Sequence, residues 1–150
     1  MQPSNRPSLT IFCCALLLVL AGVGIAAGAE PAATTPAPAD GVVVFYFHGN
    51  VRCATCRTIE AYAGEAVRDG FAADLASGAI AWREVNVDSP EHRHFIQDFR
   101  LTTRSVVLAE YRGGQVVRHQ SLDKVWQLVR SKDRFVDYIQ GETRAFLEAG

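Results

Sequence analysis

The sequence predicts an α/β domain with a central mixed sheet flanked by helices, a three-layer arrangement, and three observations predict it. Val42 to Phe47 is an unbroken apolar run of β-branched and aromatic residues, the composition of a strand buried on both faces. Directly behind it stands Cys53-Ala54-Thr55-Cys56, followed by a helical stripe. The rest of the chain alternates strand and helix patterns and closes with a hairpin and a helix, an order that packs helices on both faces of one sheet.

After the cysteines, Ile59, Tyr62, Ala63, Ala66 and Val67 recur at the spacing of an amphipathic helix, weakened at Gly70 and ended at Gly78. Ile80 to Val87 reads as the second strand. Ser89-Pro90-Glu91 offers an N-cap, a proline at the first helical position and an acid in the first turn, so a short helix follows that buries Phe95, Ile96 and Phe99. Ser105 to Tyr111 and Gln115 to Gln120 form a hairpin about the turn Arg112-Gly113-Gly114. Leu122 to Val129 and Phe135 to Leu147 carry helical spacing, with Asp133 as the N-cap of the second.

The domain is expected over 41–150. Ahead of it, residues 1–29 read as an export signal: Arg6 precedes an apolar run from Leu9 to Ala27, and Ala27-Gly28-Ala29 is a small-x-small cleavage site. An uncleaved anchor is the alternative, since the run is near the ~20 residues that span a bilayer. Residues 30–40, rich in Pro, Ala and Thr, read as a flexible linker. Cys13 and Cys14 lie in the apolar run and leave with it, so the exported chain keeps only Cys53 and Cys56. The chain is therefore expected in the periplasm or secreted, where disulfides persist. Lys and Arg number 15 against 16 Asp and Glu with no basic block, which excludes a nucleic-acid partner.

A bond between residues three apart closes too small a loop to lend much stability, so the spacing of Cys53 and Cys56 points to chemistry. At the start of a helix the unpaired N–H groups favour the thiolate of Cys53, and the flanking Arg52 and Arg57 act in the same sense. Cys53 is then the nucleophile and Cys56 the resolving thiol. A zinc site needs about four ligands, and no second CxxC or His pair follows at a suitable spacing. Capture of a soft metal by Cys53 and Cys56 is the alternative chemistry, with His48 near enough in sequence to join a copper site. His92 and His94 are two apart, about 200° round a helix axis, and cannot share an ion. With His119 they read as surface, and Trp82 and Trp126 as packing residues.

From Val42 onward the chain resembles the thioredoxin superfamily. The resemblance rests on the CxxC that ends the first strand, on Val85-Asn86-Val87-Asp88-Ser89-Pro90-Glu91, which is similar to the Leu-Asn-Ile-Asp-x-x-Pro segment of thioredoxins, and on Phe99 to Gly113, which follows their Tyr-Gly-Ile-x-x-x-Pro-Thr-x-x-x-Phe-x-x-Gly frame. It implies a thioredoxin-like fold, a thiol-disulfide oxidoreductase activity without a cofactor, and a protein thiol or disulfide partner, with a membrane electron donor among the candidates. More narrowly, Tyr46-Phe47-His48-Gly49-Asn50-Val51-Arg52-Cys53-x-x-Cys56 resembles exported bacterial thioredoxin-like proteins described as nitrophenyl compound nitroreductase subunits, of the ArsF type. That implies a link to reduction of nitroaromatics or aromatic arsenicals, served by another protein because this chain has no flavin fingerprint or Gly-rich phosphate loop.

Three departures from thioredoxins bear on the site. Arg52 stands in place of the Trp before the first cysteine, and Ala54-Thr55 replace Gly-Pro. Phe47 falls where thioredoxins carry a buried Asp beneath the second cysteine. The resemblance sets Glu84 opposite it, which makes Glu84 the proton carrier for Cys56 in an apolar setting. Ser105 aligns with the cis-proline that faces the motif, and a non-proline cis bond costs about 3 kcal/mol, so Arg104–Ser105 is expected trans. Arg52 and Arg104, flanking the motif from two sides, would favour an anionic partner. Losing the proline leaves the thiols more open to metal, so a copper or arsenic carrier is the rival reading and a non-catalytic interaction subunit a second.

Overall fold

The structure, a computed structural model, describes residues 38–150. The expected leader and most of the linker lie outside the described residues. The last linker residues are pinned to the hairpin turn: Gly114 N donates to Ala39 O at 2.6 Å and Gly113 N to Asp40 Oδ1 at 2.9 Å.

Strand β1 (Gly41–His48) is followed by helices α1 (Ala54–Gly70) and α2 (Ala72–Ser77), strand β2 (Ile80–Asn86), helix α3 (His94–Asp98), the hairpin β3 (Ser105–Arg112) and β4 (Gln115–Ser121), and helices α4 (Val125–Leu128) and α5 (Lys132–Glu148). The sheet order is β2-β1-β3-β4, with β1 parallel to β2 and antiparallel to β3, and β3 antiparallel to β4. β1 is thus paired on both sides, and its residues from Val43 to Phe47 are fully buried. A continuous apolar run is what such a strand requires.

Because side chains alternate along a strand, β1 feeds two cores. Val42, Val44 and Tyr46 join Ile59, Ala63 and Val67 of α1 and Phe135 and Ile139 of α5 on one face. Val43, Phe45 and Phe47 join Val85, Val107 and Phe99 on the other, under α3. The fold is therefore the thioredoxin-like one: a mixed four-stranded sheet with helices on both faces.

Several boundaries differ from the sequence reading. The first helix stops at Gly70 and restarts after Phe71, which is buried and non-helical (φ −140°, ψ 36°), so Gly70 ends α1 outright. Ser89 precedes a 3-10 turn, Pro90–His92, but its side chain makes no capping bond, and α3 is only five residues long. Phe99 is buried, whereas Ile96 is 39% exposed, because so short a helix has one residue row on the sheet and Ile96 lies off it. Ser131 is the N-cap residue of α5, which puts Asp133 in the first turn, where its charge suits the helix N-terminus.

Candidate active site

The motif lies at the carboxyl end of β1, where the chain crosses into α1. Cys53 is the N-cap of α1 with extended backbone (φ −71°, ψ 163°), and its Sγ accepts the amide N–H of Cys56 at 3.1 Å. An N-cap side chain ordinarily accepts from the third helical residue through oxygen, and here a sulfur takes that place. Cys53 and Cys56 are joined as a disulfide with their Cα atoms 5.1 Å apart. The pair is asymmetric: Cys53 is exposed, and Cys56 is 5% exposed. No acidic residue stands in the first turn of α1 to offset the partial positive charge there.

A clamp holds the loop that delivers Cys53. Asn50 N donates to Asp88 Oδ2 at 2.7 Å, Asn86 Nδ2 to Asn50 Oδ1 at 2.8 Å, and Asp88 N to Asn86 Oδ1 at 3.1 Å. From the other side Arg104 Nη2 reaches Val51 O at 3.4 Å, while Trp126 Nε1 donates to Arg104 O at 3.1 Å. Gly49 is where loop and clamp come closest, since a Cβ there would lie 2.6 Å from Asp88 Oδ2 and 3.2 Å from Arg104 Nη2. Between the clamp and the disulfide, Val51 is 76% exposed and presents an apolar lip beside Cys53.

The five residues singled out in the sequence fare differently. Cys53 and Cys56 form the centre. Arg52 is half-buried and ion-paired with Glu60, a residue of α1 that the sequence reading passed over. Ser105 is 8% exposed, pairs with Phe47 across β1 and β3, and donates its hydroxyl to Thr103 O at 2.9 Å. No peptide bond among the described residues is cis, so Arg104–Ser105 is trans as expected.

Glu84 does not have the apolar setting expected of it. It is exposed, and its Oε1 accepts the indole N–H of Trp82 at 3.1 Å. Nor does it face Phe47. The register sets Phe47 beside Val85 and Tyr46 beside Glu84, so Phe47 belongs to the aromatic cluster with Phe95 and Phe99 on the far face, at ring separations of 5.3 and 5.5 Å.

The polar group beneath the second cysteine is Tyr46. Its hydroxyl, fully buried, donates to the carbonyl of Cys56 at 2.7 Å. Burial pushes the phenol up from its ordinary value, Arg52 and Arg104 pull it back down, and Glu84 adds to the rise. The phenol is therefore a donor at neutral pH.

His48 ends β1 with Nδ1 3.1 Å from Gly49 O, and His94 pairs with Asp98 at 2.7 Å. Among the described residues no group of three or more His, Cys, Asp or Glu converges as a metal cluster would. No helix among them is long and apolar enough to cross a membrane.

Fold and site together define a thioredoxin-like domain carrying a CxxC disulfide at the N-terminus of its first helix. No protein-family model matches the chain, and no curated protein matches it. Among solved structures it is similar to the thioredoxin of Fasciola hepatica, at 17% identity over 63% of this chain and 81% of that one, with a TM-score of 0.38. It is also similar to thioredoxin f2 of Chlamydomonas reinhardtii, at 16% identity over 61% and 78% with a TM-score of 0.36, and to a structure titled only as a malarial protein, at 14% identity over 61% and 97% with a TM-score of 0.36.

Proposed function

We propose that the chain is an exported thiol-disulfide oxidoreductase that moves electron pairs through Cys53 and Cys56. The observation that carries this reading is the asymmetric disulfide at the N-terminus of α1, with one sulfur exposed and the other buried behind it. In the reduced protein the Cys53 thiolate, favoured by the helix N-terminus and by the Cys56 N–H, attacks a partner disulfide. A mixed disulfide forms and one partner sulfur leaves as thiolate. Cys56 then gives up its proton and attacks Cys53 Sγ, which forms the internal disulfide and releases the second partner thiolate. Two electrons have passed to the partner, and a dithiol reductant restores the pair.

Export is supported by Arg6, the apolar run and the Ala27-Gly28-Ala29 site. The narrower sequence resemblance supports a place in reduction of nitroaromatics or aromatic arsenicals, in which this chain passes electrons to an enzyme that carries the necessary cofactor. A metal-carrier reading would rest on the two thiols, since among the described residues no group of three or more His, Cys, Asp or Glu converges.

The test is trapping. Cys56→Ser should accumulate mixed disulfides with protein partners and Cys53→Ser should not, while the unaltered protein reduces insulin in the presence of dithiothreitol. Equal trapping by both variants, or by neither, overturns the assigned roles.

A further inference from the structure

Beneath the two sulfurs and the helix N-terminus, the buried hydroxyl of Tyr46 touches the motif. Tyr46 sits on the central strand, held between Glu84 of β2 and Val106 of β3, so its backbone is fixed from both sides. Its ring belongs to the core under α1, and its hydroxyl reaches up to the Cys56 carbonyl at 2.7 Å, a short and well-formed bond across ten residues of chain. It therefore ties the first turn of α1, the turn that bears Cys56, to a strand paired along both edges. Cys53, by contrast, is at the N-cap and exposed, held through the loop clamp and the Cys56 N–H.

We infer that Tyr46 is a positioning residue for the dithiol: by fixing the Cys56 turn against β1 it keeps the two sulfurs within bonding reach in the reduced protein, and so sets the equilibrium between dithiol and disulfide. In the oxidised protein the covalent bond holds the two Cα atoms 5.1 Å apart whether or not the phenol is present. In the reduced protein only non-covalent ties do so. Removing one of them broadens the dithiol ensemble, lowers the effective concentration of one thiol at the other, and disfavours closure. Loss of the hydroxyl should therefore make the disulfide more easily reduced. The inference rests on the thiol-exchange reading for its importance, though the equilibrium itself is measurable whatever the partner.

The experiment is titration of the full chain with mixtures of reduced and oxidised dithiothreitol, following the Cys53–Cys56 bond by alkylation and mass, in the unaltered protein and in Tyr46→Phe. Phe fills the same space without the hydroxyl. The expected result is a roughly 3- to 10-fold fall in the equilibrium constant for disulfide formation, which is about 15 to 30 mV toward a more oxidising potential. Thr143→Val serves as the control, because it removes another buried hydroxyl bond, Thr143 Oγ1 to Ile139 O at 2.7 Å, from α5. It should leave the constant unchanged. An unchanged or higher constant in Tyr46→Phe, or an equal fall in Thr143→Val, overturns the inference and leaves the proposed function standing. Failure of insulin reduction and trapping overturns the proposed function, while the dithiothreitol titration still decides the role of Tyr46.

Discussion

Gly49→Ala tests whether the loop before the motif is held by the Asp88 carboxylate. The added methyl would lie 2.6 Å from Asp88 Oδ2, closer than a Cβ approaches an oxygen, and 3.2 Å from Arg104 Nη2, which is tight but tolerable for the end of a flexible side chain. The carboxylate must swing away, and in doing so it gives up the 2.7 Å bond from Asn50 N. Hydrogen bonds to charged groups contribute about 1.5–3 kcal/mol, and since this one is exposed to solvent the expected loss falls below that range, at about 1 kcal/mol. In a domain of this size that is a fall in melting temperature of roughly 4 °C. The decisive assay is a double-mutant cycle followed by thermal unfolding. Asp88→Ala alone should cost about the same amount by losing the same acceptor, and Gly49→Ala in that background should cost almost nothing because the obstructing oxygen is gone. If Gly49→Ala is equally destabilising with and without Asp88, the close approach to the carboxylate is not what requires glycine there.

Two further predictions follow from individual side chains. Glu84→Gln should leave the rate at which Cys56 resolves a mixed disulfide within about twofold of the unaltered protein across pH 5 to 8, because an exposed carboxylate shares its role with water; stopped-flow measurement of a clear slowing would restore Glu84 as a proton carrier. Glu110, bonded by Arg112 at 2.8 Å and Arg118 at 3.0 Å, is held below the usual carboxylate range by those two guanidinium groups. Its folded-state depression means that the stabilisation is present above the unfolded value of roughly 4.3 and is lost as pH falls through the lower folded value. The melting-temperature gap between the unaltered protein and Glu110→Gln should thus be open at pH 6 and close as the solution is acidified below about pH 4; a gap independent of pH would refute the ion-pair origin.

The parts of the molecule that were legible in the sequence are those determined by local composition. β1 announced itself because a strand covered on both faces needs apolar residues at every position, and the hairpin because Gly113 and Gly114, at φ +59° and +77°, supply the left-handed turn that joins β3 to β4. The same continuity that revealed β1 concealed its facing. With Val43, Phe45 and Phe47 apolar and Val42, Val44 and Tyr46 also apolar, no alternation marks which set looks toward α1, and counting back from Cys53 placed Phe47 under the motif where the structure places Tyr46. The clamp was invisible for a different reason. Asn50 meets Asp88 across 38 residues and Arg104 meets Val51 across 53, contacts that exist only once β1, β2 and β3 are aligned. The pairing of Arg52 with Glu60 was not legible because Arg52 lies outside the helix, where the familiar spacing of paired charges does not apply.

The charges around Cys53 also change the account of what favours its thiolate. Arg52, counted in the sequence as a stabilising cation, is engaged by Glu60, so its field at the sulfur is largely offset. Arg104 shares the clamp with the Asp88 carboxylate and directs one nitrogen at the Val51 carbonyl, which occupies it in holding the loop. Arg57 is exposed and donates to Arg52 O at 2.8 Å, where solvent screens it. What remains uncompensated is the helix itself. α1 runs seventeen residues, has no acid in its first turn, and aims the Cys56 N–H at Cys53 Sγ over 3.1 Å. That contact is short and fixed in direction, whereas an exposed guanidinium is mobile and screened by salt. The sulfur's reactivity therefore rests chiefly on where the chain turns from β1 into α1, and the residues that fix this turn, Asn50 and Asp88 from the loop side and Tyr46 from beneath, bear on the chemistry more directly than the flanking arginines.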